Sequence, residues 1–201
     1  MTERRYAELA AEMQGRLFDV LLPSIQRIGW DAERLAVHRR TALRDTLSFA
    51  VERSRWHAKR LAAVETEAID PDGLGSLPVM TKRELTAHWD DIVTEPRLSL
   101  GSARSHLRRL DDGPAFLLDE YHVLTTGGST GEPGVFCWSR DELLQWFASG
   151  ARWTLAAGFA PAQRMAFVGA RSMRHPSAAL AVLIAAMVGG DELLVPLDQP
   201  V

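Results

Sequence analysis

The stretch VLTTGGSTGEPGVFCWS, Val123 to Ser139, sets ten residues of Thr, Gly, Ser, Glu and Pro between two short runs of strand-forming side chains. The flanking runs, HVLTT and VFCWS, carry β-branched and aromatic residues and predict a strand on each side of the tract. Gly127, Gly128 and Gly131 lack a Cβ, so they are free to take positive φ and to turn successive amides into one concavity. Such nests favour phosphate oxygens. Thr125, Thr126, Ser129 and Thr130 add hydroxyl donors, and Pro133 restricts the exit from the loop. The tract is suited to cradle a polyphosphate; a long Gly/Ser/Thr hairpin loop with no ligand has the same composition. Two other phosphate loops are excluded. No Gly-Lys-Ser/Thr ending is present, and no G-x-G-x-x-G enters a helix.

Downstream, Ser139 and Glu142 have capping-box spacing and predict a helix through Leu143, Leu144, Trp146, Phe147 and Leu155 toward Gly158. RMAFVGA, Arg164 to Ala170, reads as a buried strand, and the loop RSMRHP leads into an Ala-rich helix over Ala178 to Gly190. DELLVPLD, Asp191 to Asp198, reads as a further strand. Strand, helix and strand in this order predict a βαβ unit and a largely parallel sheet.

Upstream the pattern is helical. Tyr6, Leu9, Ala10, Met13, Leu17, Val20 and Leu21 recur at helical spacing, and Pro23 is expected to interrupt or kink the chain beyond them. A second helix is expected from Asp31 to Leu61, with Leu43, Leu47, Ala50, Ser54, Ala58 and Leu61 along one stripe. IDPDGLGSLP, Ile69 to Pro78, is turn chemistry, and Thr81 with Glu84 forms another capping box. Glu95 to Glu120 is Arg-rich and predicts a loop with one short helix. The expected fold is thus α/β: a mainly helical segment over residues 1–120, then an α/β segment over 121–201 that carries the Gly-rich loop, both parts of one domain. A parallel sheet continues past a buried strand with a covering helix, so a chain ending at Val201 is expected to be cut short.

Composition narrows the function classes. A net charge of −3 gives no argument for a nucleic-acid or acidic-membrane partner. The single Cys137 excludes an internal disulfide and fits a reducing cytosol. The N-terminus MTERRYAELAAEM lacks the apolar stretch of a signal peptide, and no run approaches a membrane span, so a cytoplasmic location is expected. No Cys/His cluster has metal-ligand spacing.

The order TTGGSTGEPG resembles the phosphate-binding signature of the adenylate-forming superfamily, which runs Thr-Ser-Gly-Ser/Thr-Thr-Gly-x-Pro-Lys. Thr126, Gly128, Ser129, Thr130, Gly131 and Pro133 match, Gly127 replaces the usual second Ser/Thr, and Gly134 stands where many members carry Lys. Within the superfamily the phenylacetate–CoA ligase-like branch, which commonly lacks that lysine, looks closest. ERSRWHAKRL, LGSLPVMTKRELTAHWDDI and SRDELLQWFASGARWTLAAGFAPAQRMAFVGA resemble that branch's N-terminal segment and the helix and strand after its loop, so the resemblance covers nearly the whole chain.

The resemblance implies an enzyme that activates a carboxylic acid with ATP and Mg²⁺, giving an acyl-adenylate and pyrophosphate, then passes the acyl group to the thiol of CoA or a carrier. It implies that Thr126, Gly128, Ser129, Thr130 and Gly131 hold the β- and γ-phosphates, with Thr125 and Gly127 completing the nucleotide-binding set. The family's adenine and metal segment, its ribose Asp and its mobile C-terminal domain with a Lys have no counterpart here. The expectation is an N-terminal half that is inactive alone. Its alternatives are a non-catalytic nucleotide-binding or partner-interaction module, completed by a second chain, and a structural domain whose loop binds nothing.

Other residues have two readings each. His175 and Arg174 sit where a strand end meets the next helix, the edge where α/β sheets bind ligands, and either line a substrate pocket or close a loop, with Pro176 in the helix's first turn. His122 either orients the tract or is a strand-end histidine. Cys137 alternates with apolar neighbours as a small core residue would. The arginines from Arg97 to Arg109 either meet a CoA phosphate or form a surface loop neutralised by Asp111 and Asp112. Trp56, Trp89, Trp146 and Trp153 lie in helical segments as core or interface aromatics.

Overall fold

A helix that packs one face on a core needs apolar residues at intervals of three and four, and the first helix, α1 (Glu3–Gln26), buries Tyr6, Leu9, Ala10 and Met13 in that pattern. The computed structural model describes residues 3–126, 133–158 and 172–188. Pro23 neither ends α1 nor separates it from its neighbour. The helix continues to Gln26, and buried Ser24 beside it donates its hydroxyl to the Ala148 carbonyl at 3.1 Å, fastening this last turn to another helix.

The single helix expected over Asp31 to Leu61 is two. α2 (Ala32–Arg53) opens on Asp31, whose carboxylate accepts from the Arg34 amide at 2.7 Å. It stops because Ser54 is extended, with φ −118° and ψ 118°. The buried Ser54 hydroxyl accepts from the His57 amide, capping α3 (Arg55–Arg60), and donates to the Asp91 carbonyl at 2.8 Å. One hydroxyl thereby offsets the missing helical bonds on one side of the break and ties it to the neighbouring chain. Leu47 is the one residue of α2 that is buried.

A 3₁₀ turn over Pro71–Ser76 comes next, capped by Asp70, which accepts from the Asp72 and Gly73 amides. Thr81 and Glu84 form the expected capping box at the head of α4 (Lys82–Ala87), and α5 (Trp89–Ile92) succeeds it. The Arg-rich region holds one ten-residue helix, α6 (Leu100–Arg109), opened by a reciprocal box between Ser99 and Ser102. A 3₁₀ turn, Leu110–Asp112, closes it.

The strands flanking the Gly-rich tract are β1 (Tyr121–Thr125) and β2 (Val135–Ser139). They pair antiparallel, with Tyr121 opposite Ser139 and Thr125 opposite Val135. Leu118 and Asp119, both at φ 57°, turn the chain into β1, and Leu117 and Tyr121 exchange bonds of 2.8 and 2.9 Å across the turn. β2 runs straight into α7 (Arg140–Ala156) through the Ser139–Glu142 capping box. α8 (Pro176–Val188) starts with Pro176 at its first position. The runs Arg164 to Ala170 and Asp191 to Asp198, on which the expected parallel sheet rests, lie outside the described residues. Among the described residues the fold is mostly helical, with the β1–β2 hairpin as its sheet.

Two apolar clusters hold these parts together. In one, Leu9 and Met13 of α1 meet Leu143 and Leu144 of α7 and Leu183 and Met187 of α8, so the core crosses residue 120. The other joins Val123 and Val135 of the hairpin to Trp89, Ala103 and Leu107. The Trp89 indole N–H donates to the Val135 carbonyl at 3.0 Å in this buried site, which fixes where the hairpin sits on α5. Among the described residues no helix is long and apolar enough to cross a membrane.

Candidate functional site

The Gly-rich tract joins Thr125 at the end of β1 to Val135 at the start of β2, and the structure shows how both ends of the tract are held. Thr126 donates its amide to the Gly134 carbonyl at 3.0 Å, and its Oγ1 accepts from the Gly134 amide at 2.9 Å. These two bonds draw the tract into a closed neck. The Thr126 oxygen serves as an acceptor, which leaves its hydroxyl proton to be donated elsewhere. Gly127, Gly128, Ser129, Thr130 and Gly131 lie outside the described residues.

Gly134 matters at this neck for what it lacks. A Cβ there would lie 3.0 Å from the Phe136 ring and 3.4 Å from Thr126 Oγ1. Any side chain at this position would have to push the Phe136 ring aside.

Thr125, one residue earlier, is spent on another partner. Its amide donates to the Arg174 carbonyl at 2.7 Å and its hydroxyl to the same oxygen at 3.1 Å. Residues 125 and 174 are far apart in sequence, yet the loop before α8 is thereby laid beside the entrance to the tract. The Arg174 guanidinium forms an ion pair with Asp111 through Nη2, while its Nε is buried with no hydrogen-bond partner. Asp111 is the residue that sequence reasoning missed. It was legible there only as a neutraliser of the nearby arginines, because its partner lies 63 positions away.

His175 takes a capping role. Its Nδ1 accepts from the Ser177 amide at 3.3 Å and lies 2.8 Å from the Ser177 hydroxyl, so the ring proton belongs on Nε2. Its carbonyl accepts from the Ala179 amide at 3.2 Å, the first bond of α8. His175, Arg174, Thr125 and Thr126 are therefore brought together by the fold at one edge, where the hairpin, the loop and the head of α8 converge.

The remaining candidates lie away from this edge. His122 is buried on β1, its ring 5.6 Å edge-on from Phe116 and its Nδ1 without a partner. Burial, with His106 nearby, holds its pKa down at about 4, so it is neutral at physiological pH. His106 is buried too, with Nε2 at 3.2 Å from the Ala115 carbonyl, and burial lowers its pKa while that bond opposes the shift. Cys137 is half-buried, and burial followed by the charge of Glu142 pushes its thiol up to about 12, which makes it a packing residue rather than a nucleophile.

Arg97 is fully engaged at the surface. Its backbone and side chain donate to Glu95, and Tyr121 donates its hydroxyl to the same carboxylate at 2.9 Å. The Arg97 bonds hold Glu95 down at about 2. Arg108 turns to the Ser105 hydroxyl at 2.9 Å. Trp89 is buried core, Trp146 stacks on Trp138 with ring centres 6.2 Å apart, and Trp56 carries the Arg60 guanidinium at 5.1 Å. Among the described residues no three His, Cys, Asp or Glu side chains gather to hold a metal ion. Compared with known proteins, the chain matches no family model, no curated protein and no solved structure.

Proposed function

We propose that this chain is the triphosphate-binding N-terminal part of an ATP-dependent ligase that activates a carboxylic acid as its adenylate, of the phenylacetate–CoA ligase-like kind. The observation that carries the reading is the anchored tract: a Gly/Ser/Thr loop closed at Thr126 and Gly134 and fastened through Thr125 to Arg174. A loop that must meet a polyphosphate needs fixed ends and free donors between them. Thr125 supplies an anchor, and the Thr126 hydroxyl proton is a donor at the edge of the loop. The buried Arg174 Nε is an unused donor on the facing segment.

In the reaction, a carboxylate oxygen attacks the α-phosphorus and the bond to the bridging oxygen breaks, so pyrophosphate leaves. The chain's own contribution is to hold the β- and γ-phosphate oxygens with the tract's amides and hydroxyls, which offsets the charge that builds on the leaving group. Mg²⁺ when bound supplies further neutralisation of those oxygens. The acceptor thiol is that of CoA or a carrier, and no turnover is assigned to these residues alone.

A second reading is a hairpin loop with no ligand. It is favoured by the Asp111 ion pair, which already occupies Arg174 Nη2. Thermal unfolding with Mg·ATP and with pyrophosphate separates the two. A ligand at a hundred times its Kd stabilises by about 2.7 kcal/mol. The ligase reading expects a rise in Tm with each, lost in the Ser129→Ala/Thr130→Ala variant. No rise with either ligand overturns it.

A further inference from the structure

We propose a second ligand site in the groove between α2 and the C-terminal end of α7, which takes an amphipathic carboxylate: an acyl or aryl body with one anionic head. The groove has a volume of about 710 Å³, within the roughly 300–1,000 Å³ of small-molecule pockets. Four segments converge on it: the 3₁₀ turn Arg27–Gly29, α2, the 3₁₀ turn Pro71–Ser76 and α7. The walls come from two helices and two 3₁₀ turns, and the volume is that of a compact ligand.

Its chemistry is two-sided. Ile28, Leu35, Leu43, Leu74 and Trp153 give an apolar lining, and Trp153 is 68% exposed, unusual for the largest apolar side chain. Arg27, Arg39 and Arg152 line the same groove with His38, and no carboxylate lines it among the described residues, in a chain whose net charge is −3. No described carboxylate forms an ion pair with any of these arginines. Arg27 Nε is buried without a hydrogen-bond partner, and the guanidinium lies 5.9 Å from the centre of the Trp30 ring. A guanidinium fork is matched to a carboxylate, so an anionic head settles among the arginines while its body covers the apolar wall. Among the described residues, Thr125, Thr126 and Gly134 at the ends of the tract, and Arg174 and His175 beside them, are not part of this groove's lining.

The test is titration calorimetry of the purified chain with decanoate, 1-decanol and acetate, each below its aggregation limit. Saturable decanoate binding at least tenfold tighter than decanol, with no acetate binding, is expected. Arg152→Gln and Arg39→Gln, each with an unchanged Tm, should weaken decanoate at least fivefold, and Trp153→Ala should weaken it without altering the preference for the anion. The Ser129→Ala/Thr130→Ala variant should bind decanoate as the parent does, so failure here and failure of the ligase reading are separable. Absence of saturation, equal affinity for decanol, or decanoate binding that ignores both arginine substitutions overturns the proposal. Tighter binding of an acidic amphipathic helical peptide than of decanoate also overturns it, in favour of a polypeptide partner.

Discussion

Thr125 donates both its amide and its hydroxyl to a single oxygen, the Arg174 carbonyl, at 2.7 and 3.1 Å. Thr125→Val keeps the β-branched shape and the main-chain bond and removes only the second donor. It should lower stability by about 1 kcal/mol, the usual worth of one such bond, read as a shift in the urea midpoint at constant m-value. An unchanged midpoint would mean the hydroxyl contributes nothing to the anchor.

The ion pair between Asp111 and Arg174 is partly solvent-exposed, at 63% and 40% for the two side chains. Exposed pairs contribute under about 1 kcal/mol, so Asp111→Asn should barely change Tm. It should nevertheless release Arg174 toward the tract and tighten pyrophosphate binding severalfold. Weaker pyrophosphate binding in this variant would show that the pair positions Arg174 instead of competing for it.

Leu118 and Asp119 both sit at φ 57°, the left-handed region that the two central positions of a type I′ turn require. Asp tolerates this region; leucine does not, and about half of its surface is exposed, so little packing compensates. Leu118→Asn should stabilise the protein by about 0.5–1 kcal/mol, seen in chemical denaturation. A loss of stability would show that the Leu118 side chain has a packing role that outweighs the strain.

Burial sets the pH response of His122. Its pKa falls from the ordinary 6.5 to about 4 on folding, so between those values the unfolded chain holds the proton and the folded one does not. Stability is complete above about pH 6.5 and declines as the pH drops toward 4, by an amount on the order of 3 kcal/mol for this group. His122→Leu removes that contribution together with the unpartnered Nδ1. At pH 4.5 the variant should unfold at higher denaturant than the parent, while at pH 7.5 the two should nearly coincide. An identical pH slope in both proteins would assign the response to His106 and His57, whose pKa values burial also lowers.

Local chemistry was legible in the sequence. The two Thr/Ser–Glu capping boxes, at Thr81 and Ser139, open helices where their spacing puts them, because those bonds span three residues and depend on nothing else. The strands on either side of the tract were legible from their β-branched and aromatic residues. The break at Ser54 was not. A serine at a helical interval reads as a neutral stripe position, and what holds it as a cap to the His57 amide is its second bond, donated to the Asp91 carbonyl 37 residues away. Nor was α6 placed, since its box uses Ser102 where glutamate is the familiar signal and its arginines mask the periodicity. At the site, the tract's composition pointed to an anion. The pairing of Asp111 with Arg174 and the division of labour between Thr125 and Thr126 arise from tertiary contacts that no local pattern encodes.

With Leu47 as its one buried residue, α2 has little tertiary packing to lose when it opens. Its 22 residues should therefore exchange their amide hydrogens through local opening, at rates set by helix propensity and by the Asp31 and Ser54 caps, while the α1, α7 and α8 amides wait for global unfolding. The molecule then has two grades of stability on a single scaffold: a slow-exchanging core that holds the hairpin, and an outer helix free to come and go without disturbing it.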